Sequence, residues 1–195
     1  MKLYYSPGAC SLADHIALHE AGLTFDREKV DLKAKKTESG DDFAAINPKG
    51  YVPALVLDDG ALLTENVALL DWIAGQAPAL VPRVTLARSR LLETLAYIST
   101  ELHKSFKPFF SPDSTDADKA KAGEMIGKRL TFLAGEMKGD YLFGDDFSVA
   151  DAYLFVMLMW AKKNGIDLPG SLPDYYERVK ARPAVTKALE HEGLA

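Results

Sequence analysis

The stretch KLYYSPGACSLADHIALHEAG, residues 2–22, decides the fold. Lys2, Leu3, Tyr4 and Tyr5 read as a short strand, and Ser6-Pro7-Gly8-Ala9 carries turn chemistry. From Ser11 the apolar residues Leu12, Ala13, Ile16, Ala17 and Leu18 recur at helical spacing until Gly22, which is placed to end the helix. Residues 25–30 then read as a second strand. Strand, helix and strand within about thirty residues make a βαβ unit with parallel strands and a right-handed crossover.

Working outward, residues 33–46 are polar and mixed and read as a loop with one helical turn near Phe43. Asn47-Pro48-Lys49-Gly50-Tyr51-Val52-Pro53 leads into an apolar run at 54–57, an Asp58-Asp59-Gly60 turn and a second run at 61–63, the signature of an antiparallel hairpin. Thr64 is placed to cap a helix whose apolar face carries Val67, Leu70, Ile73 and Ala74 and which ends before Pro78. The first half is therefore α/β, βαβ followed by ββα. Beyond the Pro78 and Pro82 segment every period is helical: 85–107 stopped by Pro108, then 115–137, 149–163, 174–182 and 184–192. The expected organisation is an α/β domain over 1–78, a linker over 79–85 and an all-helical domain over 86–195.

The chain has 195 residues, 48% of them hydrophobic, and so can bury a sizeable core. A net charge of -5 leaves no basic field for phosphates, which excludes nucleic acid as an expected partner. The longest apolar stretch, near residues 153–160, is too short to span a bilayer, and no leader opens the chain, so a cytoplasmic protein without a membrane partner is expected. The single cysteine excludes an internal disulfide, so any disulfide partner of Cys10 must come from another molecule. His15 and His19 stand four apart on the first helix, but no third ligand lies near in sequence, and no metal is expected.

Cys10 lies where a turn opens a helix, where free N–H groups and the helix dipole favour an anion; a partly ionised, reactive thiol is the expectation, against a buried structural cysteine as the alternative. Val52-Pro53 precedes a strand, where a cis bond would turn the Val52 backbone outward to pair with an extended peptide. His103 follows residues 96 and 100 at helical spacing, which places the three on one face. Ser148-Val149-Ala150-Asp151 has the form of a capping box and belongs to folding.

The order of these parts is specific. The turn Ser-Pro-Gly-Ala-Cys at 6–10, Asn-Pro-Lys-Gly-Tyr-Val-Pro-Ala-Leu at 47–55, Leu-Thr-Glu-Asn-Val-Ala-Leu at 63–69, the segment 97–104 and the run 147–155 together resemble the bacterial beta class of glutathione S-transferases over the whole chain. The resemblance implies a thioredoxin-like first domain that binds glutathione as co-substrate, and a helical domain that supplies a pocket for a small apolar electrophile or a disulfide. It implies a homodimer. Cys10 matches the cysteine facing the glutathione sulfur, Val52 and the cis Pro53 the pair that hold its cysteinyl backbone, Glu65 and Asn66 the γ-glutamyl contacts, and Lys35 the lysine at the glycyl carboxylate. His103 matches a histidine of the same cleft, Thr100 and Glu101 residues that reach the neighbouring subunit's glutathione, and Phe106, Phe109 and Phe110 line the second pocket. Asn66 and Ala96 depart from the pattern, and Ala96 forfeits about one hydrogen bond to glutathione, ~1 kcal/mol. The implied activity is conjugation, disulfide reduction through Cys10, or both. The alternative is a non-catalytic ligand-binding or interaction module on the same fold.

Overall fold

The computed structural model describes residues 1–195. β1 (Lys2–Tyr5), α1 (Leu12–Glu20) and β2 (Asp26–Asp31) form the βαβ unit, with β1 and β2 parallel and Leu3 opposite Arg27. On the other side of β1 lies β4 (Ala54–Val56), antiparallel both to β1 and to β5 (Leu62–Thr64). The loop expected at 33–46 contains a two-residue strand, β3 (Lys36–Thr37), and a short helix, α2 (Phe43–Ile46), capped by the Asp42 carboxylate on the Ala44 N–H. The sheet order is β3-β2-β1-β4-β5. α3 (Asn66–Gln76) takes Glu65 as its N-cap in place of Thr64.

The second half is helical: α4 (Ala87–Tyr97), α5 (Lys107–Phe110), α6 (Asp116–Glu136), α7 (Val149–Lys163), α8 (Leu172–Lys180) and α9 (Pro183–Glu192). The apolar run near 153–160 lies in α7, which is buried all round its first ten residues, as a helix without a polar face must be. No helix is long and apolar enough to cross a membrane. One core joins Leu3 and Leu55 of the sheet, Leu12 and Ile16 of α1, Leu70 of α3 and Tyr153, Leu154 and Phe155 of α7. Each such side chain contributes about 1.5–3 kcal/mol by leaving water. Asp151 anchors the start of α7: its carboxylate accepts from the Ser148 N–H and Oγ–H, the Leu142 N–H and the Tyr175 hydroxyl.

The single helix expected over 85–107 is broken. α4 gives way at Ile98–Leu102 to a π-helical turn and at His103–Phe106 to a 3-10 turn, before α5 continues. Pro108 does not stop the chain, because it falls in the first turn of α5, where its missing N–H has no intrahelical acceptor to serve. Wide turns of this kind concentrate at functional sites.

Candidate active site

Cys10 stands two residues ahead of α1, in a turn that begins at Ser6. Gly8 takes φ +68° there, a left-handed conformation that a side chain disfavours. The turn is held from the far end of the chain: the Gly8 N–H donates to Glu192 Oε2 at 2.8 Å, and the Trp160 indole N–H donates to the Gly8 carbonyl at 2.8 Å. The Val52–Pro53 bond is cis. The Cys10 thiol donates to the Val52 carbonyl across 3.5 Å, and the Val52 N–H has no partner within the protein.

The thiol is neutral, contrary to the ionised sulfur expected from the helix start. Burial pushes it up to about 12; the neighbouring Asp14 acts in the same direction, and the backbone N–H groups of Cys10 and Ser11 oppose it without prevailing. Cys10 is half-buried as a residue, but its sulfur is poorly solvated, and desolvation outweighs the dipole. Asp14 is wholly buried, and burial holds its carboxyl well above the usual range. One of its oxygens accepts from Asn66 Nδ2 at 3.0 Å, and the other, Oδ1, has no partner.

That contact corrects the expectation for Asn66. Its side chain does not face a ligand: it is buried, and its amide donates inward to Asp14 and, at 2.8 Å, to the Cys10 carbonyl. It fastens the start of α3 to the Cys10 turn. The backbone N–H groups of the first turn of α3 have no side-chain cap and remain available.

Glu65 occupies the opposite, wet edge. Its backbone sits at φ +74°, costly for a residue with a side chain, and this turns the chain from β5 into α3. Its carboxylate accepts from Lys49 Nζ at 2.5 Å and from the Tyr51 hydroxyl at 2.7 Å, which hold it below the usual carboxylate range. Nothing local in the sequence marks Lys49 and Tyr51 for this contact, although they flank Gly50 in the stretch that carries the family likeness. Lys35, exposed on the loop after β2, donates to the Gly50 carbonyl at 2.5 Å.

From the helical half, the His103 Nδ1 lies 2.7 Å from the Tyr153 hydroxyl, and its ring meets Trp160 edge-on at 5.0 Å. Burial pushes the imidazole down to about 4, so it is neutral at physiological pH. The π-helical turn separates it from the face it was expected to share. Ala96 and Thr100 are exposed, the Thr100 hydroxyl donating to the Ala96 carbonyl, while His103 turns inward. Glu101 accepts from Arg129 at 2.6 Å, and no hydrogen bond links Thr100 or Glu101 to the Cys10 group. Phe106 is fully buried and belongs to the core, not to a pocket wall; Phe110 is 57% exposed and packs edge-on against Trp160 at 4.8 Å.

Two family descriptions match the chain: "Glutathione S-transferase, N-terminal domain" over residues 9–76 and "Glutathione S-transferase, C-terminal domain" over residues 97–183. Glutathione S-transferase GstA of Escherichia coli O157:H7 is 44% identical, with both chains covered in full. Among solved structures, the bacterial beta class glutathione S-transferase of Sphingomonas chungbukensis superposes with a TM-score of 0.93 at 50% identity, covering all of both chains. A sphingomonad glutathione S-transferase complexed with glutathione superposes at 0.92, again at 50% identity over all of both chains.

Proposed function

The chain belongs to the bacterial beta class of the glutathione S-transferase family and is a glutathione S-transferase, and from that premise we propose that it conjugates small apolar electrophiles to glutathione in the groove beside Cys10, working as a cytoplasmic homodimer. The observation that carries this reading is the pairing of a neutral Cys10 S–H on the Val52 carbonyl with an unpaired Val52 N–H beside it. An extended tripeptide laid along Val52 and Pro53 takes up both backbone groups as an added strand. Its sulfur then lies beside Cys10, whose S–H is free to turn from the Val52 carbonyl and donate to the glutathione thiolate, lowering that thiolate's pKa.

The remaining roles follow from charge. Glu65 exchanges Lys49 for the ligand's ammonium, the first-turn N–H groups of α3 take the γ-glutamyl carboxylate, and Lys35 takes the glycyl carboxylate. Asn66 contributes its backbone, while its side chain sets the position of the Cys10 turn. His103, neutral and fixed by Tyr153, adds a hydrogen bond near the reacting sulfur. Phe109, Phe110 and Trp160 form the apolar wall for the electrophile. Residues 1–78 form the glutathione domain, 79–85 the linker and 86–195 the second-substrate domain. Thr100 and Glu101 act across the dimer; a concavity of about 630 Å³ along α4 and α6, where Tyr97, Phe132 and Phe143 lie among charged residues such as Arg90, Glu93 and Glu136, supports a subunit contact on that face.

Titrating bound glutathione by the ultraviolet absorbance of its thiolate tests the sulfur contact. The bound thiol ionises below the free one in the native protein; Cys10→Ala raises its pKa by about one unit, the worth of one hydrogen bond, and Cys10→Ser restores it. An unchanged pKa in Cys10→Ala refutes the assignment. A second activity, disulfide reduction, is favoured by Cys10 being partly exposed and free. Cys10 loses its proton to water, its thiolate displaces one glutathione thiolate from oxidised glutathione, and a further glutathione thiolate releases Cys10. Intact mass after incubation with oxidised glutathione reads the mixed disulfide, and its absence removes this activity.

A further inference from the structure

The two halves of the chain meet where α1 packs on α9, and three imidazoles converge at that contact. The sequence pairs His15 with His19; the fold adds His191, from the last turn of α9, so the third ligand absent from the neighbouring sequence arrives through space. Nδ1 of His191 lies 3.4 Å from His15 Nε2 and 3.4 Å from His19 Nε2. One donor nitrogen from each of the three histidines falls within 4.8 Å of the others. A separation of 3.4 Å is long for an N–H···N hydrogen bond. It equals the edge of a tetrahedron whose metal–nitrogen bonds are about 2.0–2.1 Å, an edge of about 3.4 Å.

The proton inventory points the same way. Glu192 Oε1 lies 2.9 Å from His15 Nδ1; with that carboxylate ionised, Nδ1 carries the proton and Nε2 presents a lone pair toward His191. One N–H at most then serves the two 3.4 Å contacts, and a single proton cannot make two good bonds. A Lewis acid satisfies all three nitrogens at once. The carboxylate behind His15 is the outer-shell partner that ligating histidines characteristically have; it fixes the tautomer and raises the ring's basicity. His15 is buried, whereas His19 and His191 are partly exposed, which leaves a path in from solvent and room for His19 to close on His15. Phe25 packs against His15 and His19 and shields one side of the cluster.

We propose that His15, His19 and His191 form a tetrahedral site for a divalent ion of the zinc class, its fourth position open to water, that pins α9 onto α1. Glu192 connects this site to the cleft, because its second oxygen holds the Gly8 N–H, two residues from Cys10. The metal therefore steadies the turn that carries the reactive thiol. It takes no part in the reaction.

Calorimetric titration of the full-length, metal-free protein with Zn²⁺, paired with the visible spectrum of the Co²⁺ form, tests this. One ion binds per chain, the Co²⁺ spectrum shows tetrahedral bands without a thiolate charge-transfer band, and Zn²⁺ at a hundredfold excess over Kd raises Tm by about 5–10 °C. His191→Ala, at a partly exposed position in the last turn of α9, weakens binding at least tenfold and cuts the Tm rise to half or less; His19→Gln does the same. Cys10→Ser leaves both intact. No binding, binding unchanged in His191→Ala and His19→Gln, or binding lost in Cys10→Ser, which would put the ion at the thiol, overturns the proposal.

Discussion

Glu65 and Asp14 stand on opposite sides of Asn66, Glu65 beside it in the chain and Asp14 beneath its side-chain amide. Glu65 is exposed, strained in its backbone and ionised, with Lys49 and Tyr51 on its carboxylate. Asp14 is wholly buried, with one oxygen on Asn66 and the other on nothing, and its carboxyl is driven toward the neutral form by burial. The same chemical group thus serves two ends. On the wet rim, charge is cheap to keep and ready to be exchanged for a ligand's ammonium; on the dry floor, charge is excluded, and Cys10 and His103 are neutral there as well. On the proposed reading, a cleft built this way takes a zwitterionic peptide at its rim, with the peptide's sulfur over a floor of neutral hydrogen-bonding groups.

Changing the floor should cost stability, and changing the rim should cost affinity. The largest effect is expected from Asn66→Ala, which strips Asp14 Oδ2 of its donor and the Cys10 carbonyl of one of two, the Ala13 N–H remaining. The loss should be about 3 kcal/mol, a fall in Tm of about 6–12 °C in thermal unfolding. A loss under about 1 kcal/mol would mean that the floor is wet enough for water to replace the amide. Glu65→Gln keeps the shape and removes the charge. Its carboxylate is exposed, so Tm should move by less than about 1 kcal/mol's worth, while KM for glutathione rises about 10–100-fold with kcat held. Were Tm to fall while KM stayed put, rim and floor would have exchanged roles and the comparison would fail.

How much of this was legible differs by region for physical reasons. The βαβ unit, the hairpin and the positions of Cys10, Val52, Pro53 and Glu65 were readable because periodicity and turn chemistry act over a few residues. The Cys10 ionisation is not legible, because a helix start announces a dipole in the sequence, whereas the burial that overrides it, with the Asp14 carboxyl acting in the same direction, exists only in the fold. The direction of the Asn66 side chain is hidden for the same reason: its buried acceptor is 52 residues away. The break in the 85–107 helix left no mark, since Ile98, Ser99 and Leu102 suit a π turn as well as an α turn. Lys49 and Tyr51 carry no local signal, because nothing nearby says that a lysine and a tyrosine two apart will meet one carboxylate. His191 stood 172 residues from His19 and could be found only in space.

His103 offers the smallest signal and the sharpest check on the floor. A histidine kept neutral by burial, down to about 4, lets the unfolded chain take up a proton near 6.5 that the folded chain refuses. Its contribution to stability is therefore complete above pH 6.5 and is lost as pH falls through 6.5 toward 4, by at most ~1.4 kcal/mol per pH unit and by less for a ring that is partly exposed. In the native protein the His103 ring resonances should stay flat from pH 8 to about 5, and kcat/KM should show no limb near 6.5 from this residue. Tyr153→Phe removes the 2.7 Å partner but not the burial, so the ring should remain neutral over the same range while its chemical shift moves with the lost hydrogen bond. A titration centred near 6.5 in the native protein would mean that water reaches His103 freely. The neutral floor, and with it the contrast to Glu65, would not survive that result.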